Sequence, residues 1–148
     1  MPSTYLSLHY HLVFGTKNRG PFIVPQWRSR LHEYMGGTIV GLGGIPQGIG
    51  GVADHVHLLV GLKATHCLAD VLRELKKASS TWVHDQIGNS LFAWQEGYAA
   101  FTVGAAARQA VQSYITNQEA HRRTHSFREE LVAMLERAGI KCDAKYLE

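Results

Sequence analysis

A chain of 148 residues with 45% hydrophobic and 18% charged side chains reads as one globular domain, spanning 1–148, with enough material for a real core. No apolar run is long enough to cross a bilayer, and residues 1–8 lack a basic segment followed by an apolar one, so neither a membrane span nor a signal peptide is expected. The formal charge of +3 is a mild excess that alone says little about nucleic acid. Cys67 and Cys142 form no CxxC pattern, and reduced thiols of a cytoplasmic protein are expected.

Residues 6–14 alternate, with Leu8, Tyr10, Leu12 and Phe14 on one face and Ser7, His9, His11 and Val13 on the other, the period of a half-buried strand. Residues 15–21 form a turn. Pro25 suits the first turn of a helix over 25–35, with Trp27, Leu31 and Tyr34 at helical spacing, and Gly36-Gly37 should end it. Residues 36–51 hold eight glycines, and 38–42 and 45–52 read as a strand running into a kinked or bulged strand. The strand at 54–62 carries a continuous apolar run suited to a central position. Residues 67–87 form a long amphipathic helix lined by Leu68, Leu72, Leu75, Ser79 and Trp82. A turn at Asn89-Ser90, a strand region over 92–103 broken at Gly97, and a helix over 105–122 follow. Ser126 and Glu129 make a capping box for a last helix, 127–138, which Gly139 stops. The order β-α-β-β-α-β-α-α predicts an α+β fold, an antiparallel sheet with helices packed on one face.

Two short patterns carry chemistry. In His55-Val56-His57 the strand period aims both imidazoles at one face. In Tyr114-Ile115-Thr116-Asn117-Gln118 the helical period stacks Tyr114 and Gln118 on one face. Where those faces meet, two imidazoles, an amide oxygen and a phenol surround one point, a set that can hold a divalent metal beside a nucleophile. Each pattern also has an ordinary reading. Histidines at this spacing occur by chance in a His-rich chain, and His9-Tyr10-His11 is an internal control. His55 and His57 differ in belonging to a strongly apolar strand, where inward polar rings need partners. Tyr114 alone reads as a core tyrosine on the stripe of Ala107, Val111 and Ile115.

Other motifs fail on context. Gly48-Ile49-Gly50-Gly51-Val52-Ala53 fits a loosened dinucleotide fingerprint, but a strand follows where a helix should open. His66 and Cys67 follow the histidine pair without a fourth zinc ligand at the usual spacing. There is no G-x-S-x-G pattern.

Several segments fall together in one order: Tyr10-His11-Leu12-Val13-Phe14 with Thr16-Lys17-Asn18-Arg19, then Asp54-His55-Val56-His57-Leu58-Leu59-Val60. Leu75-Lys76 with Ser79-Ser80, Trp94-Gln95-Glu96-Gly97-Tyr98, Tyr114-Ile115 with Asn117-Gln118-Glu119, His121, and Ser126-Phe127-Arg128-Glu129-Glu130 continue it. In these segments the chain resembles the single-tyrosine HUH transposases of small bacterial insertion sequences, HUH denoting His-hydrophobic-His. It departs at Arg122, where relatives often carry a second histidine after His121.

The resemblance implies a ferredoxin-like/RRM-like HUH endonuclease fold. It implies a divalent metal, Mg²⁺ or Mn²⁺, held by His55, His57 and Gln118, with Tyr114 as nucleophile. It further implies single-stranded DNA with hairpin ends as substrate, a 5′-phosphotyrosine intermediate, and a homodimer whose tyrosine helix completes the site of its own or the partner subunit. A bacterial or archaeal cytoplasmic location goes with it. The candidates for DNA backbone contacts are Lys17, Arg19, Arg73, Lys76, Lys77, Arg122 and Arg123. Trp94, Tyr98 and Phe101 are expected to pack in the core rather than stack on bases. Two readings compete: a catalytically silent DNA or RNA hairpin-binding protein of the same fold, and a metal hydrolase using His55, His57 and His66 with an activated water.

Overall fold

The computed structural model describes residues 3–118 and 126–141. Among these, four strands form one antiparallel sheet in the order β2-β3-β1-β4: β1 (His9–Gly15), β2 (Ile45–Gly51), β3 (His55–Gly61) and β4 (Ala99–Val103). Every residue of β3 is buried, as its apolar run and interior place require. The β1–β3 register sets Val13 opposite His57 and Gly15 opposite His55.

One face of the sheet carries the main core. Leu12 and Phe14 of β1 and Val56, Leu58 and Val60 of β3 pack against two helices, α1 (Pro25–Gly41) and α2 (Leu68–Trp82). Each fully buried Leu, Ile or Phe here contributes about 1.5–3 kcal/mol of transfer free energy. Trp94 stands edge-on to Phe14 and Phe92 and donates its indole N–H to Ser79 Oγ at 3.0 Å. The opposite face carries α3 (Arg108–Thr116), packed through Ile115 on Leu59 and Val103, and α4 (Phe127–Arg137), packed through Phe127, Leu131, Met134 and Leu135 on Val13.

Four elements differ from the sequence expectation. Gly36-Gly37 does not end α1, and 38–42 is helix rather than strand. Met35 and Ile39 prolong the buried stripe begun by Trp27 and Leu31, so packing outweighs the modest helix cost of two glycines. The helix stops at Gly43, the first residue there with positive φ (89°), where Gly44 N–H closes on the Ile39 carbonyl. The helix expected over 67–87 is α-helical only to Trp82 and finishes in a π turn, Val83–Ile87, before Gly88. Of the strand region 92–103 only β4 is continuous, and residue 94 adds a lone bridge to Thr16.

Elsewhere the expected signals act as read. β2 is bulged between Pro46 and Gly48. Ser126 Oγ accepts from Glu129 N–H at 3.1 Å and caps α4, and Gly139 follows with φ 71°. The helix expected over 105–122 also differs: a 3-10 turn, Ala105–Ala107, leads into α3, which ends at Thr116 with Asn117 as its C-cap, and 119–122 lies outside the described residues.

Candidate active site

The strand period turns His55 and His57 away from the main core and toward α3 and α4. Both rings are fully buried, and each is held from behind. His55 Nδ1 donates to Asp54 Oδ1 at 2.8 Å, and His57 Nδ1 lies 2.8 Å from His11 Nε2. Burial lowers the His11 pKa to about 4, so that ring is a neutral hydrogen-bond partner at neutral pH. The two Nε2 atoms are thereby directed at the space under α3 and α4, the orientation that outer carboxylates and imidazoles impose on metal-binding histidines.

The glycine-rich stretch explains how α3 reaches this space. A Cβ on Gly50 would collide with the Ile115 carbonyl oxygen, and one on Gly48 would touch Gln112 Cγ at 3.4 Å. These glycines are the seat of the tyrosine helix, whose Gln112 side chain also donates to the Gln47 carbonyl at 2.6 Å. Seated there, α3 brings Tyr114 edge-on to His57, with ring centroids 5.7 Å apart, and the Gln118 amide oxygen 3.1 Å from His55 Nε2. The expected meeting of the two motifs is therefore present within one chain. Burial raises the Tyr114 phenol above its ordinary 10.0, and the charge of Glu130 and a hydrogen bond to it add to this; a bond to Gln118 and the charge of Arg137 pull it back. The phenol is thus held protonated at rest. A cavity of about 450 Å³, lined by His11, Phe101, Val111, Tyr114, Met134 and Arg137, opens beside it.

Two residues near the histidines were not read from the sequence as part of the site. His11 belongs to the pair set aside as a control, yet it bonds His57. Glu130, on α4, is 8% exposed and places Oε2 3.9 Å from His55 Nε2 and 3.8 Å from His57 Nε2. Its signal was available: Glu130 falls three residues after Phe127 and four before Met134, on the apolar stripe of α4 rather than its polar side. Phe127 stacks on His55 with centroids 4.1 Å apart and an interplanar angle of 8°, and the Arg19 guanidinium lies 4.6 Å over the Phe127 ring.

The donor set suits a divalent cation. With Nδ1 donating to Asp54, His55 turns Nε2 toward Gln118 Oε1 at 3.1 Å, two atoms that a shared cation would join. His55, His57 and Glu130 offer ligand atoms all within 4.8 Å of one another. His66 does not join them: its Nδ1 accepts from Lys63 N–H at 2.8 Å and its Nε2 donates to the Leu42 carbonyl at 2.7 Å. The hydrolase reading loses its third histidine.

The basic candidates divide. Lys17 is exposed and Arg19 half-buried in the turn after β1, and Arg19 lies on the side of Phe127 and His55. Arg73 and Lys77 lie on α2, across the sheet from the histidines, and Arg73 pairs with Asp70 at 2.9 Å. The Lys76 ammonium donates to the carbonyls of Gln95, Glu96 and Gly97 and lies over Phe14 and Tyr98; burial lowers its pKa to about 8. Arg122 and Arg123 lie outside the described residues, as does His121. Trp94 is core, whereas Tyr98 is 41% exposed and Phe101 lines the cavity at Tyr114.

The family model described as "Transposase IS200 like" matches residues 4–118. The ISDra2 transposase TnpA of Deinococcus radiodurans is 28% identical over 119 residues, 75% of this chain and 84% of that protein. A crystal structure of a Deinococcus radiodurans R1 protein assigned as a transposase superposes with a TM-score of 0.65 at 26% identity, covering 80% of this chain and 96% of that one. A REP-associated tyrosine transposase solved with a REP hairpin shares the fold, with a TM-score of 0.55 at 13% identity over 78% of this chain and 70% of that one. The chain belongs to the IS200-like transposase family.

Proposed function

We propose that this transposase cuts and rejoins single-stranded DNA through a 5′-phosphotyrosine on Tyr114, with a divalent cation, Mg²⁺ or Mn²⁺, held by His55, His57 and Gln118. The observation that carries the reading is the placement of Tyr114, on α3, beside His57, with Gln118, just past the end of α3, beside His55. A bound cation would polarise a phosphate oxygen and offset charge as the phosphorus is attacked. Asp54 and His11 hold the two imidazoles in the orientation this requires. Tyr114 Oη forms a bond to phosphorus as the bond from phosphorus to the 3′ oxygen breaks, and overall the phenol proton ends on the released 3′-OH. The phosphotyrosine conserves the phosphodiester bond energy, so a 3′-OH that attacks it regenerates Tyr114 and joins two DNA ends without ATP.

Arg19, on the histidine side of the sheet, and its exposed neighbour Lys17 are the better placed backbone contacts. The three carbonyls on Lys76 assign that residue to the 95–97 loop. Hairpin DNA, a homodimer and a cytoplasmic location complete the proposal. The relative solved with a REP hairpin supports the DNA partner, and no helix among the described residues is long and apolar enough to cross a membrane.

The test uses labelled single strands from the DNA flanking the gene, run on denaturing gels with Mn²⁺, Mg²⁺ or chelator. Wild type should form a metal-dependent covalent adduct that Tyr114→Phe abolishes while still folding and binding DNA. An adduct formed by Tyr114→Phe would remove Tyr114 from its role. Binding without any adduct, from either flank and with either metal, would favour the silent hairpin binder.

A further inference from the structure

The last described helix, α4, lies beyond the family-matched segment, which ends at residue 118, yet it reaches the centre of the site. Phe127, Leu131, Met134 and Leu135 anchor it on the sheet, and the Ser126 cap fixes where it begins. That packing leaves the Glu130 carboxylate almost no solvent.

The spacing between Glu130 and the two imidazoles is not that of direct hydrogen bonds. Glu130 Oε2 stands 3.9 Å from His55 Nε2 and 3.8 Å from His57 Nε2, nearly equidistant. A charge-assisted N–H to carboxylate bond would be about 2.7–2.9 Å long. Two ligands about 2.1 Å from a shared octahedral ion lie roughly 3.0 Å apart at right angles and roughly 4.2 Å apart on opposite sides. The observed spacings fall between these limits. The oxygen is also the charged, hard donor that Mg²⁺ and Mn²⁺ favour over a neutral amide.

We infer that Glu130 is a protein ligand of the divalent cation together with His55 and His57, so that α4 completes the metal site. Gln118 then supplies a further oxygen from just past the tyrosine helix, and one ion ties β3, the segment after α3 and α4 together. The inference rests on the cation reading proposed above and names the carboxylate that serves it.

The experiment is Mn²⁺ binding to the full chain without DNA, by titration calorimetry and by the loss of the free-ion Mn²⁺ EPR signal. Circular dichroism of each variant checks its fold. Wild type should bind saturably, and His57→Ala should abolish binding. Glu130→Gln, which keeps the side-chain shape, should weaken binding by about 100-fold or more, at or beyond the upper end of outer-shell losses. Glu130→Asp should fall in between. If Glu130→Gln fails to fold, Glu130→Asp decides on the same scale. Affinity within about threefold of wild type in a folded Glu130→Gln or Glu130→Asp variant would overturn Glu130 as a ligand and leave the His55–His57 site standing. No saturable binding by wild type would overturn both.

Discussion

β1 and β3 are neighbours in one sheet, and each carries two histidines one residue apart on the same face. Their fates differ. The ring of His9 ends on the Gln47 side chain at 2.9 Å, and His11 supports His57 from behind. His55 and His57 direct their Nε2 atoms into the space beneath α3 and α4. Spacing makes a pair in both strands, but a site forms only where other elements bring ligands across the sheet. β3 has that position because the Gly48–Gly50 seat admits α3 at close range and the cap at Ser126 brings α4 in from the other side.

The comparison is broken most directly by exchanging roles. His57→Ala should lower metal-dependent cleavage by more than about 100-fold, while His9→Ala should leave it within about twofold of wild type. Equal losses from the two substitutions, measured as adduct formed per minute, would erase the distinction drawn between the pairs.

His11 sharpens it. As the group that orients His57, it is a positioning residue, and His11→Ala should weaken Mn²⁺ affinity by about 10–100-fold. The readout is binding, not only turnover, since a purely structural role would lower stability and leave affinity alone. His11→Gln, which keeps a polar atom near His57 Nδ1, should recover part of the loss.

A separate effect is on stability. The unfolded chain binds a proton at His11 below about pH 6.5, whereas burial holds the folded ring neutral down to about 4. The unfolded state therefore binds more protons in this window, and stability falls as pH drops from 6.5 toward 4. His11 alone accounts for up to about 3 kcal/mol. His32, also lowered to about 4 by burial and by the charge of Arg28, acts in the same direction. Urea melts at pH 7.5, 6 and 5 should show the fall, and His11→Gln should show less of it. A flat profile in wild type would contradict the neutral, buried assignment.

Much of this arrangement was legible in the chain because it depends on local period. The alternation in β3 is enough to put His55 and His57 together, and the short spacing from Tyr114 to Gln118 keeps both near them, although α3 ends between the two at Thr116. What escaped depends on packing between elements. The length of α1 was misread because Gly36-Gly37 permits a break without requiring one, and buried Ile39 decided the matter. The glycines of β2 read as a kinked or bulged strand, as found; their further use, room for the Ile115 backbone, needs the partner helix to be seen. Glu130 sits among Arg128, Glu129 and Glu136, so it resembles a solvated charge until its stripe with Phe127 and Met134 is counted.

The most direct measurement is peptide mapping of the protein–DNA adduct. After nuclease trimming and proteolysis, mass spectrometry should find the nucleotide attached through a 5′ phosphate to Tyr114. A nucleotide on any other residue, or reproducible cleavage that leaves Tyr114 unmodified at every time point, would contradict the account.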